Sequence, residues 1–390
     1  MRRRAASDHP SPIEELSPCP HRPPCSGCPR YGEPGIAPEA KGALDGLARA
    51  HGLPDVEIFS GGNSGFRLRA RLAIRGRLGS PKLGLFELGT HRVVHIPNCR
   101  VQHPLINRVA NVVRRALVEA RIASYSDKAR LGIARYLQVV VERPSQSAQV
   151  VMVGHSPTAE PLSECFALIR ERLGRDLHSL WFNSNMEHAN TILGPVFAHI
   201  SGPAAVIERF GGVPIHYPPG AFGQSNLEIA QRIIEHVRER IPEDAQVAEF
   251  YAGVGAIGLS VLPRVREIRF NEVSPQSLQG LALGIEGLEP AERRKVSVYP
   301  GPAASALEAA SGSEVVIVDP PRKGLDDELR GYLREQPPAR LLYVSCGLAS
   351  LLADIAQLTA AGTMRLAELT AFNLMPFTGH VETVARLERC

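Results

Sequence analysis

Val315-Val316-Ile317-Val318-Asp319-Pro320-Pro321-Arg322 is an apolar, β-branched run that stops abruptly in an acid and two prolines. About one crossover later, Tyr343-Val344-Ser345-Cys346 does the same and ends in a thiol. An open α/β sheet presents its active site in this way, at the carboxyl ends of adjacent parallel strands. Upstream, Glu249-Phe250-Tyr251-Ala252-Gly253-Val254-Gly255-Ala256-Ile257-Gly258 places a glycine-rich turn after another strand. Strands expected at 246–251, 267–271, 296–299, 314–318 and 340–345 alternate with helical stretches, which is the doubly wound βαβ pattern. Arg365–Phe372 and Val381–Leu387, joined by a short connection, read as an antiparallel pair at the sheet edge. A helix capped by Asn226, with Leu227, Ala230, Ile233, Ile234 and Val237 on one face, leads into this unit. Residues 216–390 are therefore expected to form one α/β domain.

Before it, residues 59–215 read as a mixed α/β middle domain. Residues 105–121 and 163–173 have helical patterns, and Tyr136–Val141, Gln149–Val153 and Ser179–Phe182 read as strands. From Phe66 a period of two begins, with Leu68, Ala70, Leu72 and Ile74 on the same side. Arg67, Arg69, Arg71, Arg75 and Arg77 fall on the other side with no acid among them. That face is expected to meet phosphates, against the alternative of a solvated edge blunted by charge. Residues 1–58 form a Pro-rich arm. Its first 40 residues have no periodicity and cannot build a core alone, and 41–52 read as a short helix.

The chain has 390 residues, 44% of them hydrophobic and 22% charged, which suits two or three globular domains. No run of about 18 apolar residues offers a membrane span. Met1-Arg2-Arg3-Arg4 is followed by no hydrophobic stretch, so the expectation is a cytoplasmic monomer. Residues 1–215 carry 27 basic against 18 acidic side chains, and residues 216–390 carry 17 against 22. The positive front half suits a polyanion and the negative rear half a small-molecule enzyme core. Seven cysteines, an odd number, point to ligands and a nucleophile rather than disulfides.

Gly253, Gly255 and Gly258 match G-x-G-x-x-G, and Glu272 follows Gly253 at the end of the next strand. This combination suits NAD or S-adenosylmethionine equally. Asp319-Pro320-Pro321 favours methyl transfer to a base over a dehydrogenase. Arg322 stands where enzymes that methylate exocyclic amines carry a stacking aromatic, and Cys346 ends the next strand, which points to a carbon target. Pyrimidine C5 becomes nucleophilic only after a thiolate adds at C6, and a base must later remove the C5 proton. Cys19-x5-Cys25-x2-Cys28, with the distant Cys99, could supply four thiolates to one centre. Zinc is the generic ligand of such a set, although a zinc ribbon brings two C-x-x-C knuckles and only one exists here.

These segments resemble the RNA (uracil-5-)-methyltransferases, specifically the iron–sulfur branch that acts on 23S ribosomal RNA. Phe222-Gly223-Gln224-Ser225-Asn226 is similar to the family's F-x-Q-x-N motif, and Asp319-Pro320-Pro321-Arg322-Lys323-Gly324-Leu325 to its D-P-P-R-x-G-L loop. Tyr343-Val344-Ser345-Cys346 resembles the nucleophile strand, and Met375-Pro376-Phe377-Thr378-Gly379-His380-Val381-Glu382 the F-P-H-T-x-H-V-E signature. The resemblance implies a class I (Rossmann-like) methyltransferase domain, a mixed α/β middle domain and an N-terminal metal-cluster arm. It implies S-adenosylmethionine bound by Gln224, Tyr251, Gly253, Gly255, Glu272 and Asp319, with Cys346 as nucleophile and Glu382 as base. It also implies a [4Fe–4S] cluster on Cys19, Cys25, Cys28 and Cys99. The sequence departs from the family at Ala252, Gly301-Pro302, Gly347-Leu348 and Phe377. The alternatives are a transfer-RNA uridine methyltransferase, a non-catalytic metal-containing RNA-binding paralogue, and an NAD-dependent oxidoreductase. The last would leave Cys346 and Glu382 without purpose.

Overall fold

The computed structural model describes residues 18–33, 35–187 and 191–390. In the C-terminal unit, Gln246–Phe250 lies between Glu267–Glu272 and Val315–Val318, parallel to both. Val296–Pro300 extends one side and Arg340–Ser345 the other, again parallel. Val315 and Ile317 face one core with Leu342 and Val344, while Val316 and Val318 face a second with Leu341 and Tyr343. With both faces covered, Val315–Val318 and residues 341–344 are apolar at every position. The helix Leu227–Glu239 starts where the sequence indicates, its Asn226 side chain accepting the Ile229 N–H at 3.4 Å.

The closing pair, Met364–Phe372 and Glu382–Arg389, is antiparallel but does not form the edge. Glu382–Arg389 inserts beside Arg340–Ser345, and Met364–Phe372 takes Glu57–Phe59 as a parallel outer neighbour. A three-residue strand is too short for its alternation to be read. The arm is divided as well. Helix Pro38–Ala50 buries Ala40, Leu44 and Ala48 in the core that holds Leu366 and Leu369. Residues 38–59 thus pack with the C-terminal sheet, where those leucines would otherwise meet water.

The middle unit is a seven-stranded sheet in the order Val93–His95, Ser80–Phe86, Arg69–Arg77, Ala134–Glu142, Ser147–Gly154, Leu177–Ser184 and Val196–Ser201. Helices Pro104–Glu119 and Ser163–Leu173 bury their apolar stripes in its core. The hairpin of Val206–Phe210 and Val213–Tyr217 reaches across to the C-terminal unit. A Cβ on Gly280 would stand 2.4 Å from the His216 carbonyl oxygen. The division expected at 215/216 therefore falls within a strand.

The arginine face departs most from expectation. Leu68, Ala70, Leu72 and Ile74 are buried as the alternation requires. Their cationic neighbours, however, turn onto protein. Arg69 lies over the Tyr217 ring at 4.2 Å, and Arg71 donates to Gln138 at 2.8 Å. Arg75 donates to the Arg135 carbonyl at 2.9 Å and pairs with Asp127. Tyr217 packs over Arg69 on this side of the sheet, and Arg67, Arg69 and Arg75 are partly buried while Arg71 and Arg77 stay exposed. Among the described residues, no helix is long and apolar enough to cross a membrane.

Candidate active site

At the carboxyl ends of the parallel strands a cleft of about 930 Å³ opens, walled by Gln224, Tyr251, Gly253, Glu272, Asp319, Cys346 and Glu382. Gly255 is not part of the wall. It adopts φ +77 ahead of helix Ala256–Val261, and a Cβ there would stand 2.6 Å from Leu281. Its contribution is a tight turn with close packing behind the cleft.

Glu272 organises the glycine turn. One carboxylate oxygen accepts the Gly253 N–H at 2.7 Å, and the other accepts the Val273 and Ser274 N–H groups at 2.8 and 2.6 Å. The oxygen that accepts only the Gly253 N–H keeps acceptor capacity for a ligand hydroxyl. Tyr251 holds a left-handed φ of +58. Its hydroxyl donates to the Asp326 carboxylate and accepts the Asp326 N–H, both at 3.2 Å.

Ser345 pairs with Thr383 across adjacent antiparallel strands. One further residue along that register, Cys346 and Glu382 stand opposite each other at the cleft. Burial pushes the Glu382 carboxyl up to about 8, with Asp319 adding to the rise and Arg322 opposing it. Burial likewise pushes Asp319 up to about 7. The half-buried Cys346 thiol is raised by burial first and then by Glu382 and Asp319, against Arg322. Arg322, whose guanidinium lies 3.2 Å from the His380 ring nitrogen, is thus the local counter-charge for all this acidity.

The four arm and middle-domain cysteines line one small cavity together with Tyr31, Arg67 and Gln102. Burial, reinforced by Cys99, raises the Cys28 thiol to about 11, while Arg67 pulls it back. Arg67 is largely enclosed, and its Nε has no hydrogen-bond partner. Among the described residues, no three Cys, His, Asp or Glu side chains stand close enough together to form a ready coordination set. The four cysteines expected to ligate one centre thus share one cavity, without a closed ligand cage among the described residues.

The family profile described as tRNA (Uracil-5-)-methyltransferase matches residues 308–390, which include Asp319, Cys346 and Glu382. Over 383 residues the chain is 33% identical to an uncharacterized RNA methyltransferase of Protochlamydia amoebophila, covering 95% of this chain and 97% of that relative. The chain belongs to the RNA (uracil-5-)-methyltransferase family. A second uncharacterized RNA methyltransferase, from Halalkalibacterium halodurans, is 27% identical over 83% of this chain and 70% of its own length. In three dimensions the fold matches the Pyrococcus abyssi tRNA (uracil-54, C5)-methyltransferase solved with S-adenosyl-L-homocysteine. That match has a TM-score of 0.73 and 23% identity, over 90% of this chain and 83% of that one. The chain is thus an S-adenosylmethionine-dependent RNA methyltransferase with a class I catalytic domain.

Membership of this family puts the departures from its motifs in context. A Cβ on Gly347 would stand 2.7 Å from the Arg322 carbonyl oxygen, so the close approach of the Asp-Pro-Pro-Arg loop requires glycine there. Gly301 and Pro302 line the cleft with Ala303 and Ala304, giving an apolar wall. One participant has no role assigned from sequence, and another takes a different one. Glu249, fully buried, accepts the Gly258 N–H at 2.9 Å, and burial pushes its carboxyl well above the ordinary range. An acid inside the apolar run Val247-Ala248-Glu249-Phe250 was the available signal. Arg69, expected on a phosphate-facing row, instead turns onto the Tyr217 ring. Its Nε and Nη2 are buried without partners, and its guanidinium crowds Gly223 of the Phe222-Gly223-Gln224 loop. No local pattern reveals that contact.

Proposed function

We propose that this enzyme methylates C5 of a uridine in 23S ribosomal RNA through a covalent adduct between Cys346 and C6 of the base. The observation that carries the reading is the register that sets Cys346 opposite Glu382 at the mouth of the glycine-turn cleft. A thiol and a carboxyl beside each other in one cleft supply the groups that addition at C6 and proton removal at C5 require.

The target uridine must leave its stack to enter the cleft. The Cys346 thiol gives up its proton to solvent and its sulfur adds to C6, pushing the ring electrons toward C5 and O4. S-adenosylmethionine, held by the Glu272–Gly253 turn, supplies the methyl group to C5. The Glu382 carboxylate then takes the C5 proton. The freed electron pair restores the C5–C6 double bond and expels the Cys346 thiolate. Arg322 offsets the negative charge that accumulates among Glu382, Asp319 and the sulfur.

For the arm we propose a [4Fe–4S] cluster on Cys19, Cys25, Cys28 and Cys99. Four thiols line one cavity, which supports this reading once they draw together on a metal, and the partly buried Arg67 provides a counter-charge to thiolates. When bound, the cluster would tie the arm to the middle unit through Cys99. Iron and acid-labile sulfide in about equal amounts, roughly four of each, are expected in anaerobically purified protein. Stoichiometric zinc without iron would overturn this part.

The reading is tested by supplying methyl-labelled S-adenosylmethionine with 23S ribosomal RNA or with transfer RNA. Transfer to the ribosomal RNA is expected, with none from Cys346→Ala. Transfer confined to transfer RNA would favour the second reading, to which the matched family's description lends weight. Methylation by Cys346→Ala would remove the covalent mechanism.

A further inference from the structure

The turn that delivers Glu382, residues 373–381, is gripped from outside its own sheet. Within it Phe377 has φ +66, a left-handed conformation that is unfavourable for a residue with a Cβ. Phe377 is nevertheless 2% exposed, clustered with Phe66 and Val101 and packed against Tyr31, Cys28 and Cys99. From the arm, the Arg30 N–H donates to the Phe377 carbonyl at 3.0 Å, and the Tyr31 ring sits 5.0 Å from the Phe377 ring. From the middle unit, an Arg67 guanidinium nitrogen reaches the Met375 sulfur at 3.7 Å. Inside the turn, the Thr378 hydroxyl donates to the Met375 carbonyl at 2.8 Å and accepts the His380 N–H at 3.2 Å. His380 meets Arg322, and Glu382 follows it by two residues.

A conformation of this kind persists only when its surroundings over-determine it. Here the surroundings are the Cys-rich arm on one side and the start of the arginine strand on the other. We propose that Phe377 is a positioning residue, through which the arm holds the turn so that Glu382 reaches the C5 proton. The proposal rests on the reading of Glu382 as the base. It assigns the arm a task in one step of the reaction, proton removal and thiolate release, rather than in RNA binding. Loosening the grip leaves Cys346 and the methyl-donor turn in place, so addition and methyl transfer continue while elimination slows.

The test compares Phe377→Ala and Phe377→Leu with Tyr31→Ala, which removes the grip without altering the turn's own sequence. With 23S ribosomal RNA as substrate, Phe377→Ala and Tyr31→Ala are expected to lose about ten- to a hundred-fold in kcat with unchanged KM. A methylated protein–RNA adduct should accumulate on denaturing gels, and Phe377→Leu should restore much of the rate. Hydrogen exchange should rise in peptides covering 373–382 and stay unchanged in the strand Val315–Val318. Wild-type kcat and exchange in both grip variants would overturn the proposal. So would a loss accompanied by faster exchange throughout the protein, which is the result of a merely structural role. The exchange measurement stands apart from the chemistry. If Glu382→Gln turned over normally, the base assignment would fall, whereas unchanged exchange at 373–382 would remove the grip itself.

Discussion

The guanidinium of Arg69 lies 4.2 Å from the centre of the Tyr217 ring, with two of its nitrogens buried and unpartnered. A cation enclosed without a counter-ion is costly, and the Tyr217 ring offsets only part of that. In an RNA methyltransferase, a substrate phosphate arriving beside the Phe222-Gly223-Gln224 loop would supply the missing charge. Arg69→Met should therefore leave the melting temperature unchanged or raise it, while weakening RNA binding about ten-fold or more. Melting curves and RNA titrations check both halves, and unaltered RNA affinity would refute the role.

Release of the thiolate should depend on pH through Glu382. Its carboxyl, raised to about 8, is mostly protonated at neutral pH, and the fraction ionised and able to accept a proton grows as pH rises through that value. Turnover limited by elimination is expected to climb between pH 6.5 and about 8.5. Asp319→Asn removes a group that raises Glu382, so the residual activity should have its limb moved to lower pH. A pH–rate profile with no ascending limb in this range would count against Glu382 as the base.

The same carboxyls link stability to pH. Asp319 and Glu382 have folded values above their ordinary ones, so the folded chain holds protons that the unfolded chain has released. Their contribution is fully present below about pH 4 and declines as pH rises through about 7 and 8. Glu382→Gln should accordingly flatten the fall in melting temperature between pH 5 and 8. Parallel melting curves for the variant and the wild type would contradict that.

Cofactor binding should respond to Glu272 in a specific way. Glu272→Gln keeps the shape but replaces one carboxylate oxygen with an amide donor that faces backbone N–H groups already donating. The glycine turn should loosen, and S-adenosylhomocysteine affinity measured by calorimetry should fall about ten-fold or more. Equal affinity would mean that the turn is held by the other contacts alone.

Gly258→Ala offers a stability test. The added methyl group would sit 2.2 Å from a Glu249 carboxylate oxygen and 2.3 Å from Phe270, inside a closed core. A loss of about 1–3 kcal/mol in denaturant unfolding is expected. At Gly253, where a Cβ would meet no atom within 4 Å, the cost of Gly253→Ala should come from the φ of +59 alone.

The C-terminal unit was legible because its signals are local. Val315–Val318 is apolar at every position because it is buried on both faces, and Asp319 and Cys346 marked where the strands end. The four motifs, the Cys19, Cys25 and Cys28 spacing and the Asn226 cap likewise depend on residues a few positions apart. The sequence by itself therefore determined the parallel sheet, its glycine turn and the thiol at the strand end.

Only the tertiary structure decided what sits beside what. Whether each arginine of the strand faces water or protein depends on partners far off in the chain: Tyr217 for Arg69, Met375 for Arg67 and Asp127 for Arg75. The edge position went to Glu57–Phe59, and the arm was brought against Phe377, through contacts that leave no periodicity in the chain. Hydrophobic patterning says that a face must be covered but does not name the partner, because burial is non-directional. The pairing of Cys346 with Glu382 came from the register of two strands, and register is a property of the folded sheet.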